Sequence, residues 1–103
     1  MPGKFFVYAK LLGSIMPDER GEKYEEPLWD MLEREKLGRI TGGGTMLNED
    51  QSIAYAGIDL ELFNLDTALH ATRRKLRELG APPGSTLEYE VNGTRQSLPI
   101  HAD

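Results

Sequence analysis

Hydrophobic spacing switches between strand and helix period four times along this chain, and that order limits the folds open to it. Apolar residues at every second position mark a strand, whereas spacing of three and four marks a helix. The first run, Lys4 to Leu12 (KFFVYAKLL), is rich in aromatic and β-branched residues and ends at Gly13, as a strand does. Residues 26–38 place Leu28, Met31, Leu32 and Glu35 on one helical face, with Pro27 suited to the first turn and Gly38 to the C-terminal cap. A glycine-rich strand follows, and then a long strand over Ser52 to Phe63. There the apolar parity shifts from Ile53 and Tyr55 to Ile58, Leu60 and Leu62, which predicts a bulge at Ala56-Gly57.

The second helix is the clearest element. Asn64 or Asp66 can cap it. Leu65, Leu69, Thr72, Leu76 and Leu79 form its apolar stripe, and Gly80 followed by APPG ends it. His70, Arg73, Arg74 and Arg77 fall on a separate, solvated face. Thr86 to Val91 then alternates, with Leu87, Tyr89 and Val91 inward and Glu88 and Glu90 outward. Asn92-Gly93 signals a type I′ hairpin that returns as a short edge strand over residues 94–100.

The order is therefore β-α-β-β-α-β with a terminal hairpin. It predicts an α+β domain over residues 1–103 of the ferredoxin-like, split βαβ kind, with an antiparallel sheet and two helices on one face. A chain of 103 residues supports one such core. The first strand is apolar on both sides, so Phe6, Tyr8 and Leu12 need a cover on the helix-free face, or Phe5 and Val7 do if the phase is opposite. The terminal segment, a second copy or another protein could supply it.

Charge is distributed unevenly. Residues 18–35 hold eight acids against three bases, an excess equal to the net charge of −5 for the whole chain. Residues 66–79 carry four bases against two acids. The helices are thus one acidic and one basic, and neighbouring helices of opposite sign screen each other. Glu22, Glu25, Glu26 and Asp30 form a candidate acidic interface for a basic partner.

The run RITGGGTML (residues 39–47) is the main candidate contact site. It lacks the lysine of a Walker phosphate loop, and it lies between a helix and a strand, not the strand-to-helix setting of a dinucleotide fingerprint. Three successive glycines exceed what a simple bulge needs and permit close backbone approach. Gly42, Gly43, Gly44 and Thr45, with Arg20 and Tyr24 from the preceding polar connection, make a cleft if residues 13–25 fold toward the strand. A small molecule could bind there, or the glycines could serve packing alone.

Other classes are disfavoured. There is no cysteine for disulfides, thiolate ligands or a thiol nucleophile, and the composition fits a cytoplasmic protein. His70 and His101 lack ligand spacing, and no residue set points to catalysis, a metal or a cofactor. No apolar run reaches membrane-spanning length. Phe6, Tyr8 and Tyr89 could stack bases, but the acidic balance and the carboxylates of Asp59, Glu61, Glu88 and Glu90 oppose nucleic acid.

The segment ITGGGT, with YEEPLWDML before it and IDLEL…LRELGAPPGSTLEYE after it, resembles small uncharacterised bacterial proteins of ferredoxin-like order that carry a TGGGT motif. The resemblance covers most of the chain and implies the fold. For function, two readings stand: a non-enzymatic protein-binding or homodimerising domain, such as an inhibitor or immunity-type protein, and a small-molecule sensor or small enzyme using the cleft.

Overall fold

A computed structural model describes residues 4–101. Five strands form one antiparallel sheet in the order β2-β3-β1-β4-β5: β1 (Phe5–Leu12), β2 (Gly38–Leu47), β3 (Ile53–Leu62), β4 (Thr86–Val91) and β5 (Thr94–Pro99). The first helix occupies residues 17–35 and the second Leu65–Glu78.

The first helix begins nine residues earlier than its spacing predicts. Pro17 opens it, and Asp18 and Glu19 suit the positive end of its dipole. The connection before Pro27 is thus largely helical. It escapes periodicity analysis because its middle section, Arg20–Glu25, is a π-helix, in which the Glu26 N–H reaches back five residues to the Gly21 carbonyl. Pro27 accounts for this widening. Inside a helix it has no N–H to donate and its ring crowds the carbonyl four residues back, so the coil opens just before it. The helix ends at Lys36, whose left-handed φ of 56° takes the role expected of Gly38. Gly38 instead starts β2, packed too tightly against the Glu61 carbonyl for any side chain.

β1 pairs with β3 in unbroken register from Phe5↔Leu62 to Leu12↔Tyr55. The expected bulge at Ala56-Gly57 is therefore absent. Ala56, Ile58, Leu60 and Leu62 all point into the core, and Tyr55 lies on the other face. The irregularities fall between β2 and β3, where Thr41 is extra on β2 and Ala54 is extra on β3.

The core lies between one sheet face and the two helices. Val7, Ala9 and Leu11 of β1 meet Leu28 and Leu32 of the first helix and Leu69 and Leu76 of the second. Thr72 is also buried there, and its hydroxyl has no hydrogen-bond partner. Asn64 sits at the cap position of the second helix in a left-handed conformation without a side-chain cap. Arg73 and Arg77 do not simply face solvent: their Nε atoms donate to the Pro99 and Ile100 carbonyls at 2.9 and 2.6 Å. The turn at Asn92-Gly93 has positive φ at both residues, as a type I′ hairpin requires, and Val91 beside it is exposed rather than inward.

Candidate functional site

Sequence-predicted contact residues meet on the helix side of β2. The bulge at Thr41 sets Gly43 and Thr45 on that face, opposite Ile58 and Ala56. Arg20 reaches across from the π-helical section. Its Nε donates to Glu25 Oε2 at 3.0 Å and its Nη1 donates to Thr45 Oγ1 at 3.1 Å. A Cβ at Gly43 would stand 2.8 Å from Glu25 Oε2 and 3.0 Å from the Gly57 carbonyl. Gly43 is therefore the floor on which the Arg20–Glu25 pair rests, and the anticipated cleft is filled by that pair.

The other members separate. Tyr24 is a core residue, 1% exposed, whose hydroxyl donates to the Gly80 carbonyl at 3.3 Å. Gly42 lies on the opposite face, where a Cβ would be 3.2 Å from Asp59 Oδ2. Gly44 pairs with Gly57 along the strands, and a Cβ added to it would find open space. Of the acidic set, Glu25 turns inward to Arg20, while Glu22, Glu26 and Asp30 stay exposed at spacings of four along the helix. Asp30 pairs loosely with Arg34 at 3.8 Å.

The second surface is the sheet face without helices. Phe6, Tyr8, Lys10 and Leu12 of β1 point there, with Tyr55, Asp59 and Glu61 across on β3 and Glu88 on β4. Tyr89 pairs with Val7 and belongs to the other face. Tyr8 lies directly over Gly57, which has no room for a Cβ beneath the phenol. Partial burial pushes the Tyr8 hydroxyl above its ordinary pKa, helped by Tyr55 and by the negative charges of Asp59 and Glu88. Lys10 Nζ sits 4.5 Å from the Tyr55 ring centre, a cation–π contact. Phe6 is 70% exposed at the rim of a groove of about 550 Å³ that Asp59, Glu88 and Arg95 also line. The terminal segment does not cover this face as far as His101. Ile100 is buried, its N–H bonded to the Ser85 carbonyl, and the His101 ring contacts the Ala81 carbonyl.

The third surface runs along the free edge of β2. Between this strand and the first helix lies a groove of about 620 Å³ lined by Trp29, Ile40, Glu26 and Asp30. Trp29, Met46 and Leu47 are exposed along this edge. Sequence reasoning missed it; the signal that could have found it is the lack of any lysine or proline in residues 38–47.

Among the described residues, no helix is long and apolar enough to cross a membrane, and no three His, Cys, Asp or Glu converge as a metal site. No protein-family model matches the chain, and no curated protein or solved structure is significantly similar to it.

Proposed function

We propose that this chain is a cytoplasmic, non-enzymatic binding domain of ferredoxin-like architecture that takes a protein partner on its helix-free sheet face. The strand order β2-β3-β1-β4, with one helix between β1 and β2 and another between β3 and β4, supports that architecture.

One observation carries the functional reading: Phe6 is 70% exposed on a sheet face that no described segment covers. Burying such a side chain is worth about 1.5–3 kcal/mol, a gain open to a partner and forgone by the free chain. Tyr8 and Tyr55 extend the surface with hydroxyls that can bond across an interface. The exposed Glu22, Glu26 and Asp30 add a negative field that speeds encounter with a basic partner, in keeping with an inhibitor or immunity-type role. The cleft reading, as a sensor or enzyme, has less support because Arg20 and Glu25 occupy the space between the first helix and Gly43.

The test is a photo-crosslinking amino acid placed at position 6 in living cells, with position 33 on the outer side of the first helix as control. A discrete adduct with a different protein at position 6, absent at position 33, is the expected result. Equal, diffuse labelling at both positions would sink the proposal. Phe6→Ser should weaken the interaction by roughly ten- to hundredfold while shifting stability by no more than about 0.5 kcal/mol, as exposed substitutions do.

A further inference from the structure

We propose that a second copy of this chain pairs with it along the free edge of β2, antiparallel and two-fold symmetric about Gly44, joining the two sheets into one.

An edge strand presents a row of unpaired backbone groups, and folded proteins guard it with lysine, proline or a short length. β5, the opposite edge, follows that pattern: it has six residues, with Arg95 and Pro99 among them. β2 has ten residues, and Arg39 at its start, tied to Glu61 at 3.1 Å, is its sole charge. Exposed apolar side chains also concentrate here. Of the six large hydrophobic residues exposed among those described, Trp29, Met46 and Leu47 lie along this edge.

The strand complements itself end for end. Ile40 near its start helps line the Trp29 groove, and Leu47 at its end is 47% exposed. Antiparallel pairing about Gly44 sets Gly42 across from Met46 and Gly43 across from Thr45. It brings Leu47 of each copy to the Ile40–Thr41 bulge of the other, over the groove beside Trp29. The groove is completed only by the second copy. Charge agrees with this register, since Arg39 falls beside Asn48 and Glu49 of the opposite chain and the arrangement repeats at the other end. Gly44, at the axis, offers bare backbone with open space around it. A partner surface on the sheet face stays free, so this pairing and the reading above stand or fall separately.

Light scattering over a concentration series at low and high salt should give twice 11.6 kDa at both. Leu47→Glu, which puts a negative charge beside Glu26 and Asp30 of the groove, should raise the dissociation constant at least roughly tenfold with an unchanged circular dichroism spectrum. The chain has no cysteine, so single cysteines report contacts cleanly. Facing positions of antiparallel strands lie about 4.5–5.5 Å apart between Cα atoms, within disulfide reach. Gly44→Cys should therefore oxidise to a covalent dimer, and Gln96→Cys on β5 should not. A monomer at every concentration overturns the proposal. So does a dimer that Phe6→Cys links and Gly44→Cys does not, because that dimer uses the sheet face.

Discussion

Arg20 and Thr45 are joined side chain to side chain, Nη1 to Oγ1 at 3.1 Å, over a strand position that has no side chain of its own. The bond fixes the π-helical section of the first helix to the edge strand. It gives the three glycines unequal roles. A Cβ at position 43 meets Glu25 Oε2 at 2.8 Å and the Gly57 carbonyl at 3.0 Å, and the carbonyl is backbone that cannot easily yield. Gly43→Ala should cost about 1–3 kcal/mol, as overpacking does. Gly44→Ala meets nothing and should be neutral, or stabilising by up to about 1 kcal/mol through the unfolded chain. Urea unfolding of the two variants checks the contrast, and equal midpoints would refute this division of roles.

Gly57 and Tyr8 make a second pair of this kind. Gly57→Ala should displace the Tyr8 ring and destabilise by about 1–3 kcal/mol. With Tyr8→Ala in place, the same substitution should cost much less. The double-mutant cycle should return a coupling of at least about 0.5 kcal/mol. Strict additivity would mean that the ring is not what fills the space.

Thr72 carries a buried hydroxyl without a partner on a core-facing helix position. Thr72→Val keeps the branched shape and removes that unpaired group. Leaving such a group unsatisfied costs about 1–3 kcal/mol, so the variant should be more stable by about 1 kcal/mol or more. A lower thermal midpoint than the parent chain would show that the hydroxyl is satisfied in solution.

Tyr8 sets an alkaline limit. Its folded pKa lies above the unfolded value of 10.0, chiefly because burial disfavours the phenolate. The folded chain thus holds this proton more tightly than the unfolded chain. The contribution to stability is complete below 10.0 and is lost as pH rises from there through the folded value. Parent and Tyr8→Phe stabilities, compared by urea unfolding, should diverge in that window and run parallel at neutral pH. A difference that is flat with pH would contradict the shift.

Much of the architecture was legible in the order of the residues. Leu65, Leu69, Thr72 and Leu76 announced the second helix, and Gly80 with Pro82 and Pro83 closed it, because spacing and chain breakers act within a few residues. Asn92-Gly93 fixed the hairpin for the same local reason. The candidate set Arg20, Gly43 and Thr45 did come together, although Tyr24 left it for the core.

What local pattern could not decide was anything that depends on a distant partner. Residues 17–25 read as a polar connection, with the helix starting around Pro27, yet Tyr24 packed under Gly80 and Arg20 bonded to Thr45 hold them helical. The bulge went to Thr41 rather than Ala56-Gly57 because β3 keeps register with β1, so the mismatch passes to the edge. Sequence alone determined the order of strands and helices, the helical stretch before Glu26 excepted, since that order follows from the period of apolar residues along the chain. Only the tertiary structure decided which face of β1 stays bare and which glycine bears a contact. Those outcomes are set by the register between strands and by side chains arriving from tens of residues away, to which a local period is blind.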